Sequence, residues 1–179
     1  MLVYTDLISG DQVLSDSFDL KPLNYGGNEL EGIMCVQSKM VNKDIGEINT
    51  GANASAEGGG DEEVDDSVER VCDIKDGLVG FGYEGPNEMS AKEKVELFKA
   101  WCQKVKAKIV ESGEKPGPFM KSAKGFMDFL KNEHKNMEIY FPKSYNTETF
   151  VIGWWDDEAN AAGAPKFIYF KNALKEEKY

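Results

Sequence analysis

The stretch 90–132 constrains the fold more than any other part of the chain. Ser90 has the character of a helix cap, and Glu93 three residues on completes a capping box. Val95, Phe98, Cys102, Val105 and Ile109 then recur at steps of three and four, which places them on one face of a helix. Gly113 and Pro116 close that helix, and Pro118 suits the first turn of a second. Phe119, Met120, Ala123, Phe126, Met127 and Leu130 make the second stripe. Two adjoining helices, each with one apolar face, are predicted to fold back on one another as a hairpin.

β-rich segments flank the hairpin on both sides. Strands are predicted at 2–4, 13–14, 18–20 and 29–40, then at 68–74 and 78–83 before the hairpin. After it come 137–141, 150–155 and 167–170, separated by turns at 144–146 and 156–165. Pro22 limits its strand to an edge or an end. Within 29–40, Leu30, Met34, Val36 and Met40 are expected on one side. The tail 172–179 is short and charged. With 179 residues, one domain spanning 1–179 is expected. The fold class is α+β, with the hairpin inserted between strands of a common sheet system.

The segment 42–67 differs in kind. Ile45, Ile48 and Val64 are its large apolar residues, set among glycines, alanines and the acids Asp61, Glu62, Glu63, Asp65 and Asp66. Such a stretch cannot bury enough surface to offset the entropy of ordering it, so a long mobile acidic loop is expected. Asn53-Ala54-Ser55 is a glycosylation sequon, discounted because nothing in the sequence routes the chain to the secretory pathway. Asp61, Glu63, Asp65 and Glu69 have EF-hand-like spacing, but Asp66 stands where the loop glycine belongs and Cys72 where the bidentate glutamate belongs. What is left is a carboxylate cluster able to hold Ca²⁺ weakly.

Charge is distributed unevenly. Between Met89 and Asn136 eleven lysines face six acids, a local +5 inside a chain of net charge −11, so the remainder carries −16. The plain account of these lysines is a solvated helix face; the sharper one is a docking surface for an acidic protein, such as a tubulin tail. Candidate docking residues are Lys92, Lys94, Lys99, Lys104, Lys106, Lys108, Lys121 and Lys124. Nucleic-acid binding is not expected from an acidic chain whose basic region lacks arginine. No apolar run approaches the ~20 residues of a membrane helix, and Asp6, Asp11 and Asp16 interrupt any leader-like start.

Recognised catalytic chemistry is missing from the sequence. His134 is the single histidine, set in a Lys/Asn/Glu-rich segment, and supports no Ser/His/Asp arrangement. Cys35, Cys72 and Cys102 are widely spaced with no CxxC, which excludes a thiol zinc site and suggests free thiols. Gly80-Phe81-Gly82-Tyr83-Glu84-Gly85 is a literal GxGxxG, but residues 86–89 intervene before the helix and a second helix follows the first. A glycine-rich edge strand is the expected cause. A binding protein is favoured over an enzyme, with no organic cofactor.

Against this background the chain resembles the translationally controlled tumour protein (TCTP) family. The similarity is carried by the opening Val3-Tyr4-Thr5-Asp6-Leu7-Ile8-Ser9, the run Gly51-Ala52-Asn53-Ala54-Ser55-Ala56-Glu57-Gly58 followed by acids, the hairpin with Pro118-Phe119-Met120, and the ending Phe167-Ile168-Tyr169-Phe170-Lys171-Asn172-Ala173-Leu174. The resemblance implies a β-tent core of twisted, mainly antiparallel sheets with an inserted helical hairpin. It implies a mainly cytosolic protein, released from some cells by a non-classical route, with growth and anti-apoptotic roles; a monomer is expected. It implies weak Ca²⁺ binding, for which Asn53, Glu57, Asp61, Glu63, Asp65, Asp66 and Glu69 are the candidates, and tubulin or microtubule association through the hairpin. An alternative is regulation of a small GTPase, as exchange factor or chaperone, through Asp11, Gln12, Asn53, Ser55 and Glu57. Gln12 replaces the glutamate usual in the family, and a Gly-Glu pair of the second signature is replaced near Phe141-Pro142-Lys143-Ser144. Pro22 sits in the segment that would have to mimic a BH3 helix, so Bcl-family binding is not carried over. A remote alternative is a thiol-dependent sulfoxide reductase, since related β-tent folds include such enzymes.

Overall fold

The hairpin interrupts the connection between two neighbouring strands. The structure is a computed structural model that describes residues 1–42, 70–77 and 80–178. Its strands are β1 (Leu2–Asp6), β2 (Gln12–Ser15), β3 (Lys21–Tyr25), β4 (Asn28–Gln37), β5 (Met40–Asn42), β6 (Arg70–Cys72) and β7 (Glu84–Asn87). After helices α1 (Ala91–Glu111) and α2 (Gly117–Glu133) follow β8 (Met137–Phe141), β9 (Val151–Trp154), a short helix α3 (Asp157–Ala162), β10 (Lys166–Phe170) and β11 (Leu174–Lys178). Six strands form a sheet of order β3-β4-β10-β9-β8-β7, three form β11-β1-β2, and β5 pairs with β6. Every pairing is antiparallel. α1 and α2 lie between β7 and β8 in the chain, yet those two strands pair directly.

The helices form where the sequence places them. The Ser90 side chain accepts from the Glu93 amide, and the Glu93 carboxylate accepts from the Ser90 amide at 2.9 Å. Their stripes bury Phe98, Cys102, Val105, Ile109, Phe119, Ala123, Phe126 and Leu130 against Ile139, Ile152, Ile168 and Phe170 of the sheet. Trp101 and Phe129, outside the predicted stripes, complete this core. The opposite face of the sheet packs Met34, Val36, Tyr140, Val151, Phe167 and Tyr169 on Val13 and Leu14 of the small sheet. The six-stranded sheet is therefore covered on both faces. This is why β10 reads Lys-Phe-Ile-Tyr-Phe, an apolar run without alternation.

Four predictions of detail are corrected. Within β4, which is continuous over Asn28–Gln37, the alternation expected across 29–40 slips. Leu30 packs with Ile33 on the hairpin side, while Met34 and Val36 face the other way. The cause is Gly32, at φ +79°, beside a register irregularity between Pro22 and Asn24 of β3. Residues 80–83 are not a strand: they fold back on residues 74–76, with Phe81 N donating to Ile74 O and Gly80 N to Asp76 O. A Cβ on Gly80 would collide with the Ile74 carbonyl, so that glycine serves close backbone approach rather than phosphate binding. The segment 18–20 is a turn leading into β3, which contains Pro22 at the sheet edge. The charged tail is strand β11, paired with β1 over its whole length. An exposed edge strand needs no apolar alternation, so its sequence carried no signal.

Gly32 gives a stability prediction. A Cβ there would collide with Ser122 Oγ, which itself donates to Glu31 O at 2.7 Å. Gly32→Ala should cost about 2–3 kcal/mol, of which about 1–2 comes from the left-handed backbone alone. In a Ser122→Ala background the steric part disappears and the added cost should fall to the backbone part. Urea denaturation of the four-member cycle measures this; strictly additive costs would remove the clash from the account.

Candidate binding surfaces

The hairpin presents its lysines unequally. Lys92, Lys99 and Lys106 are exposed and seven residues apart, so they form one row on α1 with about 10 Å between successive Cα positions. Lys108 and Lys124 are exposed elsewhere on the two helices. None of these five makes an ion pair among the described residues. Lys104 pairs with Glu148 at 2.8 Å, partly exposed, and Lys121 with Glu31 at 3.5 Å, largely exposed; solvent-screened pairs of this kind are worth little. Lys94 does not belong to the docking set. It is buried, and its ammonium donates to His134 O at 2.6 Å and Met137 O at 2.8 Å. Burial pulls its pKa below the ordinary lysine value. The reason is geometric: Lys94 lies one turn before Phe98, on the inward face, where its long stem crosses the core and its head reaches carbonyls at the end of the hairpin.

A second surface lies at the β1–β2 turn. Buried Asp6 organises it. One carboxylate oxygen accepts from Ile8 N, Ser9 N and Ser9 Oγ, and the other from Thr149 Oγ1 at 2.9 Å. Thr149 in turn accepts from Trp101 Nε1 at 3.2 Å. Burial pushes the Asp6 carboxyl above its ordinary range, against the opposing pull of these hydrogen bonds. A polar chain thus runs from the helical core through Thr149 and Asp6 to the turn. At the turn's far end Asp11 Oδ2 accepts from Ser144 N at 3.2 Å and Ser144 Oγ at 2.6 Å, which ties it to the β8–β9 loop. Gln12 is exposed beside it at the start of β2.

Of the residues predicted for the GTPase contact, the structure sets Asp11 and Gln12 side by side; Asn53, Ser55 and Glu57 lie outside the described residues. So do all seven Ca²⁺ candidates, Asn53, Glu57, Asp61, Glu63, Asp65, Asp66 and Glu69, and all of the expected acidic loop except Asn42, which closes β5. Among the described residues no group of three or more His, Cys, Asp or Glu is placed to hold a metal ion. Sequence reasoning missed Ser144, Thr149 and Trp101 at this surface. Only Asp6 left a trace, as an acid two and three residues before the amides it caps.

The thiols are unpaired. Burial pushes Cys102 up to about 12 and raises Cys35. Both are therefore held as thiols, the opposite of what nucleophilic sulfur chemistry requires. A cleft of about 1070 Å³ between the hairpin's far end and strands β3, β4 and β11 is lined by Tyr4, Leu20, Ile33 and Ile109 with a rim of mixed charge.

The sheet order, the inserted hairpin and the β1–β2 turn can be set beside known proteins. The family model of translationally controlled tumour protein matches residues 1–175. The chain belongs to the TCTP family. A solved structure, the translationally controlled tumor-associated protein p23fyp from Schizosaccharomyces pombe, is similar over 100% of both chains, at 27% identity and a TM-score of 0.71. The expected mixed fold, antiparallel sheets with a helical hairpin, is that of this TCTP structure. Among the described residues no helix is long and apolar enough to cross a membrane.

Proposed function

We propose that this TCTP-family protein is a non-enzymatic binding protein that docks acidic protein segments, tubulin's acidic tails foremost, on the lysine row of α1. The observation that carries this reading is the row itself: Lys92, Lys99 and Lys106 stand two turns apart, exposed and without ion pairs among the described residues, on a chain of net charge −11. An evenly spaced row matches an extended polyanion, and the exposed pairs Lys104–Glu148 and Lys121–Glu31 can exchange their carboxylates for a partner's at small cost. The test is co-sedimentation with microtubules across a salt series. Replacing Lys92, Lys99 and Lys106 by Gln removes three contacts of about 0.5 kcal/mol each, so affinity should fall roughly tenfold at low salt and the salt slope should flatten. Unchanged binding and slope would overturn the docking reading. Weak Ca²⁺ binding by residues 53–69 remains part of the proposal on sequence grounds.

A second reading, contact with a small GTPase, is favoured by one observation. Asp11 is held in place from both sides, by the Asp6 network behind it and by Ser144 in front. A fixed acidic turn of this kind is a usable protein contact with no phosphate site of its own. Failure to accelerate nucleotide release from a cognate GTPase at high protein excess, with no complex by titration, would remove it.

A further inference from the structure

The start of α1 and the adjoining ends of β7 and β8 border a cavity of about 640 Å³ that the lysine row does not use. Lys94 is the one lysine that lines it. The residue is 8% exposed. An ammonium carries three N–H donors. Two are used, on His134 O at 2.6 Å and Met137 O at 2.8 Å, and the third has no acceptor among the described residues. A buried donor of this kind is costly to leave unmade.

Glu138, half-buried, lines the same cavity. Its Oε1 accepts from Tyr140 Oη and from Trp155 Nε1, each at 2.8 Å, which holds the carboxylate in place. Its Oε2 makes no hydrogen bond among the described residues. The charge of Glu138 acts on Lys94 through space and opposes the effect of burial, yet the two do not close into an ion pair. A fixed carboxylate and a buried ammonium thus line one cavity without meeting. Glu93 accepts from the Ser90 amide with Oε1 alone, and exposed Glu88 makes no hydrogen bond or ion pair among the described residues. Three carboxylates therefore stand around one ammonium that is already shared between two carbonyls. This balance favours a cation that also carries a neutral acceptor, and disfavours a further carboxylate. Pro86 and Met89 add an apolar wall.

We infer that this cavity captures the N-terminus of a partner polypeptide. The α-ammonium donates to Glu138 Oε2, with Glu88 and Glu93 beside it. The first peptide carbonyl accepts from the third N–H of Lys94, and the first side chain lies on Pro86 and Met89. An N-terminal residue carries ammonium and carbonyl on one Cα, which a lysine side chain does not. Charge-assisted bonds to both groups give such a contact its strength. The site is independent of the lysine row, and either can fail without the other.

The probe is leucyl-glycyl-glycine amide, titrated into the full chain and followed by amide NMR. Shifts should concentrate at residues 86–94 and 137–138. Acetylating the peptide's N-terminus should remove binding. Isoamylamine, which lacks the carbonyl, and free leucine, which brings a carboxylate, should each bind roughly fivefold more weakly than the peptide. Glu138→Gln keeps an oxygen for Tyr140 and Trp155 and replaces the unused oxygen with a donor. Its melting temperature should stay within about 4 °C of the parent's, and the peptide should bind roughly tenfold more weakly. Glu88→Gln, at an exposed position, should weaken the peptide about threefold and carries the test if Glu138→Gln does not fold. Glu111→Gln, at the other end of α1, should change nothing. Equal binding of the acetylated peptide, undiminished binding by the folded Glu138 or Glu88 variant, or no shifts at all would overturn the site. Shifts spread over the acidic surface and abolished by moderate salt would mean counter-ion screening and overturn it too. Free leucine binding as tightly as the peptide would overturn the assignment to a polypeptide.

Discussion

Trp101→Ala is expected to cost about 4 kcal/mol of stability, the largest effect of any single substitution considered. Trp101 is 4% exposed and touches Phe98, Phe119, Phe150 and Phe170 at centroid separations between 5.1 and 5.7 Å. Truncation leaves a void at the junction of both helices with β10, where rigid rings on every side cannot close over it. For a chain of this size the melting temperature should fall by roughly 8–16 °C. Trp101→Phe separates packing from polarity. It keeps most of the ring, removes the donor to Thr149, and should cost about 1–2 kcal/mol. The informative readout is remote. Thr149 loses the bond that orients its hydroxyl toward Asp6, so amide shifts and exchange protection at Ile8, Ser9 and Asp11 should change although none of them touches residue 101. If they stay fixed, the chain from helix to turn carries no coupling.

Lys94→Met is the second. Methionine retains the stem but leaves the carbonyls of His134 and Met137 without their charged donor. The expected loss is about 2–4 kcal/mol, since hydrogen bonds to charged groups are the strong ones and buried carbonyls are costly to abandon. Lys92→Met, two residues away but exposed, should change stability by no more than about 0.5 kcal/mol. The functional effects should be reversed. Lys92→Met should weaken binding to acidic tails and lower the salt slope, while Lys94→Met, once folded, should leave both unchanged. A stable Lys94→Met variant with impaired tail binding would return Lys94 to the docking set.

These two residues mark the boundary between what sequence and structure each contributed. Spacing at three and four, a capping box and two prolines were enough to define the hairpin, because helix formation is decided by neighbours along the chain. The apolar strands β8, β9 and β10 were legible for the same local reason, and the motifs at 3–9, 51–58 and 167–174 were enough to identify the family. Lysine count was legible too, but lysine placement was not. Whether Lys94 points out or in depends on where the carbonyls of residues 134 and 137 arrive, forty residues later in the chain. The need for glycine at residue 32 comes from Ser122 crossing over it, and β11 is a strand paired along the edge that β1 offers. The clamp between Asp11 and Ser144 spans 133 positions, and the chain from Trp101 through Thr149 to Asp6 joins three distant segments. Short-range periodicity determined the elements and their apolar faces. Which polar groups met, and therefore which surfaces are fixed enough to bind, was decided by contacts between residues that no local pattern relates.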